Sequence, residues 1–189
     1  QPRNHGLSWN APGTTQSRTL NNGFRLATWN VRTLHAPGAL ENLVREAKKY
    51  KLDVAAIQEV RWTGNGTVDT EGYRLIYGGT NYHAFGTAFL IRSNLSNAIK
   101  KYNFMSDRLS TLHLRGKFND IILINGHAPC ENAEEEQKDE FYDLMDEAVN
   151  QAPNYATKMI IGDMNAKIGR EEIFQHVTGK NSLHGTSNE

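Results

Sequence analysis

Four short stretches of this 189-residue chain end in side chains able to hold a cation or move a proton. Asn30 closes a run beginning at Phe24, and Glu59 closes the apolar run Val54-Ala55-Ala56-Ile57-Gln58. His127 follows Ile121–Gly126, and Asp163 and Asn165 follow Met159-Ile160-Ile161-Gly162. A carboxylate emerging from an apolar strand is costly unless it is paired or holds a cation. Mg²⁺ takes oxygen ligands, often one or two carboxylates completed by waters and a substrate phosphate. Glu59 and the amide oxygen of Asn30 suit that ion, and Mn²⁺ could replace it. Phosphodiester hydrolysis needs such a metal, a base for water and donors for the developing charge. Asp163, Asn165 and His127 offer the remaining parts. Taken singly, each has an ordinary reading, a salt-bridged Glu or a turn-forming Asx residue. Other chemistries lack their parts: there is no Walker-type phosphate loop, no G-x-S-x-G elbow and no H-E-x-x-H.

The elements that must carry these residues are legible in the apolar pattern. Phe24 to Asn30 alternates as a strand, with Phe24, Leu26 and Thr28 on one face and Ala27 and Trp29 on the other. After Pro37-Gly38, the spacing of Leu40, Leu43, Val44, Ala47 and Tyr50 predicts a helix. Asp53 to Glu59 reads as a strand covered on both faces. Further strands are expected over 73–77, 86–91, 98–102, 111–114 and 118–126. A helix over about 133–151 follows, with Phe141, Leu144, Met145, Ala148 and Val149 as its stripe, and Pro153 ends it. A last short strand, 158–162, leads into Asp163. The class is mixed α/β, with two sheets or one large one.

Composition narrows the field. Residues 1–23, rich in Asn, Gly, Ser and Thr, predict a flexible leader; one domain is expected over 24–189. No apolar stretch is long enough to span a membrane, so no membrane partner is expected. The single cysteine, Cys130, excludes an internal disulfide and a cysteine-built zinc site and favours a reducing compartment, nuclear or cytoplasmic. Lys and Arg total 21, as do Asp and Glu, so no global positive field exists. Residues 131–147 nevertheless carry a net −8, leaving +8 on the rest. Arg61, Arg92, Arg108, Lys167 and Arg170 are candidate phosphate contacts, although surface Lys and Arg are ordinary. Trp62 suits either nucleic-acid contact or core packing.

Thr28-Trp29-Asn30-Val31, Ile57-Gln58-Glu59-Val60, His127-Ala128-Pro129 and Ile161-Gly162-Asp163-Met164-Asn165-Ala166, in this order, resemble the endonuclease/exonuclease/phosphatase superfamily. Trp29-Asn30-Val31-Arg32-Thr33-Leu34 and Gln58-Glu59-Val60-Arg61-Trp62 are similar to the apurinic-type endonuclease domain of non-LTR retrotransposons. Craniofacial development protein 2-like chains form a cellular branch of that subgroup.

The resemblance implies a DNase I-like, four-layer sandwich of two packed mixed β-sheets flanked by helices. It implies a Mg²⁺-dependent, DNA-nicking endonuclease, with a downstream-encoded reverse transcriptase as a further partner and no small-molecule cofactor. Glu59 and Asn30 match the metal site. Asp163 and Asn165 match the pair that handles water and phosphate, and His127 stands where repair members place a Tyr near the phosphate. Arg32 and Arg61 join Arg108 and Lys167 as nucleic-acid contacts. Arg32 replaces an acidic residue of repair members, and Cys130 a polar one. The family's late Asp and closing Ser-Asp-His are not found before residue 189. The resemblance therefore implies a domain incomplete at its C-terminus, weak or inactive by itself. The alternatives are an inactive nucleic-acid-binding or interaction module and a phosphoesterase acting on lipids or small phosphates.

Overall fold

The protein is described by a computed structural model covering residues 24–179 and 181–187, so the expected leader lies outside the described residues. Nine strands and two long helices follow in order: β1 (Leu26–Asn30), α1 (Ala39–Tyr50), β2 (Val54–Gln58), β3 (Asn65–Thr70), β4 (Tyr73–Gly78), β5 (Thr87–Arg92), β6 (Ile99–Phe104), β7 (Leu109–Leu114), β8 (Ile121–His127), α2 (Glu135–Gln151) and β9 (Thr157–Asp163). One sheet has the order β1-β2-β5-β4-β3 and the other β6-β7-β8-β9. Each is mixed, because β1 runs parallel to β2 and β8 parallel to β9 while the other pairs are antiparallel.

Strand alternation sets the layers. Along β2, Ala55 and Ile57 meet Leu43, Val44 and Ala47 of α1, while Val54 and Ala56 face Phe89, Leu112 and Leu123 between the sheets. Phe141, Met145 and Ala148 of α2 cover Leu109, Ile122 and Ile124 on the outer face of the second sheet. Helix, sheet, sheet, helix is the result. Burying these side chains is worth roughly 1.5–3 kcal/mol for each large aliphatic or aromatic one before entropy is counted.

Several details depart from the apolar pattern. Tyr50 leaves the α1 stripe and is 56% exposed, because the chain turns at left-handed Lys51 and Leu52 folds back onto the core in its place. α2 starts later than expected, since Ala133 N–H first closes a turn on the Cys130 carbonyl. Strand β3 is absent from the apolar pattern. It is a polar edge strand held by its backbone ladder to β4, a position that needs no apolar face. β9 carries Met159-Ile160-Ile161, yet Met159 and Ile160 are exposed because β9 is itself an edge. Among the described residues, no helix is long and apolar enough to cross a membrane.

Candidate active site

Parallel pairing brings the chemistry to one end. Asn30 lies opposite Gln58, so Glu59 leaves β2 beside the end of β1; His127 lies opposite Asp163 at the ends of β8 and β9. β1 and β9 touch across the sandwich. Asn30 Nδ2 donates to Glu59 Oε1 and to Asp163 Oδ2, each at 2.9 Å. One amide thus clamps two carboxylates from opposite sheets. Asn30 Oδ1 accepts the Arg32 N–H at 3.0 Å. This differs from the expected Asn30 oxygen aimed at a cation: two carboxylates demand donors, so the amino group faces them and the oxygen turns to the backbone.

Backbone strain gathers here. Arg32, Glu59, Arg61 and Asn165 all have left-handed φ between 48° and 60°. Such conformations cost non-glycine residues on the order of 1–2 kcal/mol each, and the surrounding hydrogen bonds enforce them. Val31 N–H bonds to Gln58 O, Leu34 N–H to Val60 O, and Arg61 N–H to Phe85 O. Gly162, with φ 149°, sits opposite Gly126, whose carbonyl oxygen would collide with any Cβ there. That close approach positions Asp163.

Glu59 is paired as well as clamped. Arg61 Nη2 reaches Oε2 at 2.6 Å. Burial raises the carboxyl's pKa, but the hydrogen bonds from Asn30 and Arg61 and, in the acid range where the carboxyl titrates, the charges of His127 and Arg61 outweigh it, so Glu59 titrates below its ordinary value. His127 lies beside Glu59, 5% exposed, with Nε2 3.6 Å from Glu59 Oε1 and Nδ1 buried without a hydrogen-bond partner among the described residues. Burial and then the Arg108 charge push its pKa down, against the carboxylates of Glu59, Asp163 and Asp107. The ring is therefore neutral at physiological pH. It flanks the Glu59 carboxylate and is not an open phosphate contact, because Phe85 and Arg108 roof it: the ring centroids of Phe85 and His127 are 6.2 Å apart, and Arg108 Cζ lies 3.9 Å over Phe85. Arg108 also donates to the His127 carbonyl.

Asn165 N–H bonds Asp163 Oδ1 at 3.1 Å, and its amino group donates to the Ala128 carbonyl at 2.7 Å. The expected water-handling amide is thus also a strut between the two strand ends. A cleft of about 380 Å³ opens over Trp29, Asn30, Asp163, Asn165 and Lys167. Lys167 lines this cleft, Arg61 is held at Glu59, Arg108 at the His127 carbonyl, and Arg32 follows Asn30 through its backbone N–H; Arg92 lies elsewhere, since it binds the Leu52 carbonyl and Asp53 at the other end of β2. Arg170 is tied to the Ser182 carbonyl. Trp62 packs edge-on against Tyr77, centroids 4.9 Å apart, as core.

A buried polar bridge below the cleft escaped the motif reading. Gln58 Nε2 donates to Asn125 Oδ1 at 2.7 Å, and Asn125 Nδ2 donates to the carbonyls of Ile57 and Ala88. It ties the sheets together directly under the site. The signal was available: an amide inside an apolar strand must find partners when buried.

Two mixed β-sheets packed face to face and flanked by helices, with polar side chains gathered at one end of the strands, make a DNase I-like fold. The chain belongs to the endonuclease/exonuclease/phosphatase family, whose sequence profile matches residues 27–185. It is homologous to craniofacial development protein 2 of Bos taurus, at 32% identity over 167 residues. That match covers 88% of this chain and 28% of the bovine protein, so the chain spans little more than a quarter of that relative. Its fold is similar to D. rerio TDP2 complexed with a single-strand DNA product, with TM-score 0.56 and 16% identity over 84% of this chain and 66% of that one. It is also similar to the endonuclease domain of TRAS1, a telomere-specific non-LTR retrotransposon, with TM-score 0.50 and 16% identity over 77% and 61% of the respective chains.

Proposed function

We propose that this domain binds DNA and hydrolyses one phosphodiester of it with the help of Mg²⁺. The observation that carries the reading is the Glu59–Asn30–Asp163 row, in which a single amide lining the cleft holds carboxylates from both sheets, Asp163 lining it as well. Among the described residues no group of three or more His, Cys, Asp or Glu side chains is set to hold a metal. A hard ion does not need one, since it keeps several waters and accepts phosphate oxygens. Each Glu59 oxygen accepts one hydrogen bond, leaving lone pairs for a cation, so the donor set fits. A bound ion supplies Lewis-acid neutralisation of the phosphoryl oxygens.

Glu59 would hold the ion, with Asn30 fixing its carboxylate through Oε1. Asp163, lining the cleft, would take the proton of the attacking water. Neutral His127 excludes water beside Glu59. Arg32, Arg61, Arg108 and Lys167 would neutralise flanking phosphates, and DNA affinity would fall with salt at a log–log slope of roughly −0.9 per phosphate contacted. The solved TDP2 complex with DNA supports nucleic acid as the partner.

The test is supercoiled plasmid with Mg²⁺, using the natural full-length protein that carries this sequence. Open circles should form, and Glu59→Gln should abolish them while leaving the melting curve intact. Equal nicking by the variant would overturn the reading. A nucleic-acid-binding module without cleavage is the second reading, favoured by the Arg61 guanidinium standing at Glu59 where a cation is wanted. It predicts salt-dependent DNA retention and closed plasmid at every Mg²⁺ concentration.

A further inference from the structure

Outside the cleft, two exposed histidines meet across separate loops. His35 lies beyond β1 and His83 between β4 and β5; their ring centroids are 4.4 Å apart with the planes inclined at 46°. Both loops are clamped to the same short segment. Leu34, buried at the root of the first loop, donates its N–H to Val60 O. His83 Nδ1 lies 3.0 Å from the Arg61 carbonyl oxygen, and Arg61 N–H is bound by Phe85 O in the second loop. A carbonyl can only accept, so Nδ1 of His83 carries a proton, which leaves Nε2 as the nitrogen open to a ligand. Metal-ligating histidines are held in this way, one ring nitrogen donating to a carbonyl while the other faces the ion.

We propose that His35 and His83 form a rim site for a borderline divalent transition ion of the Zn²⁺ class, separate from the oxygen-lined centre at Glu59. Imidazole nitrogen suits zinc, copper and nickel, whereas Mg²⁺ prefers carboxylate, carbonyl and water oxygen. With metal–nitrogen bonds of about 2.0–2.1 Å, two imidazoles at a tetrahedral angle hold their ring centroids about 5 Å apart. The observed separation of 4.4 Å is somewhat shorter, so the two exposed rings must open slightly to take an ion. Waters complete the shell, because no third His, Cys, Asp or Glu joins these two among the described residues. The Arg61 side chain, the cation carried by the latched segment, is turned away onto Glu59. An ion at the rim therefore stiffens the loop that presents Arg61 to Glu59. This inference is independent of the proposed hydrolysis.

The experiment is calorimetric titration of the 189-residue chain with Zn²⁺ at neutral pH, in a Cys130→Ser background that removes the exposed thiol. His35→Ala and His83→Ala should each weaken one Zn²⁺ site by about tenfold or more, since each removes half of a chelate. The double variant should lose the site altogether, because no protein ligand is left, and millimolar Mg²⁺ should not displace the ion. His35→Phe keeps ring packing against His83 and removes the ligand nitrogen, so it should match His35→Ala. Zn²⁺ affinity unchanged in His35→Phe or in His83→Ala would overturn the site and leave only a stacked ring pair. Displacement by Mg²⁺ would overturn it too.

Discussion

Arg61 Nη2 stands 2.6 Å from Glu59 Oε2, although both residues must hold left-handed backbone to bring this about. The ion pair is part-exposed, so its strength is modest and its consequence is competition: guanidinium and metal seek the same carboxylate. Arg61→Ala should tighten Mn²⁺ binding roughly two- to fivefold, the equivalent of a surface pair of ~0.5–1 kcal/mol. Electron paramagnetic resonance of free Mn²⁺ measures it, with Glu59→Gln as the control that loses the ion. Unchanged affinity in Arg61→Ala would show that the guanidinium does not compete.

His127 makes stability depend on pH above the carboxylate range. Its folded pKa lies below the unfolded one, so the neutral ring's contribution is full above about pH 6.5 and declines as pH falls and the unfolded chain takes the proton first. Urea unfolding of the protein and of His127→Gln between about pH 8 and pH 5 should give a stability difference that shrinks with acidity. A difference independent of pH would mean the ring is not held neutral.

Asn125→Leu should destabilise the domain by about 3 kcal/mol, although it replaces a polar residue in a fully buried strand with an apolar one. The change strips the carbonyls of Ile57 and Ala88 of a donor and Gln58 of an acceptor. Chemical denaturation reads the loss directly. A neutral or stabilising result would mean the amide bridge is dispensable to sheet packing.

Gly162→Ala should be worse for the site than Gly126→Ala. A Cβ at residue 162 meets the Gly126 carbonyl from a φ of 149°, whereas one at residue 126 meets Met145, Met164 and Phe141 side-chain ends at 3.2 Å, which can shift. The first should lower stability by about 2–4 kcal/mol and displace Asp163, reducing any nicking beyond what stability explains. Thermal melts and plasmid assays on both variants separate the two effects, and equal damage at both glycines would refute the close-approach argument.

The apolar text carried most of the architecture. The run from Val54 to Gln58 reads as a strand covered on both sides and the spacing of Leu43, Val44 and Ala47 as a helix face, and the fold places both so. Those signals are local, because covalent neighbours determine period and the period determines which face is buried. Edges carry weaker signals. β3 is held by backbone bonds that any residue can make, and β9 exposes Met159 and Ile160 despite apolar text.

Among the site residues, the sequence by itself determined that Asn30, Glu59, His127 and Asp163 stand at strand ends, since each closes an apolar run. Only the tertiary structure decided what they do to one another. The Asn30–Asp163 bond joins residues 133 positions apart, and it exists because the β1 edge of one sheet meets the β9 edge of the other. The same packing buried His127 until its neutral form prevailed and turned Arg61 onto Glu59. Asn125 lies unremarked in an apolar strand until a second sheet brings Gln58 to it. Spacing along the chain fixes the face a side chain occupies; the partner on that face, and hence its charge and hydrogen bonds, comes from a surface no local pattern describes.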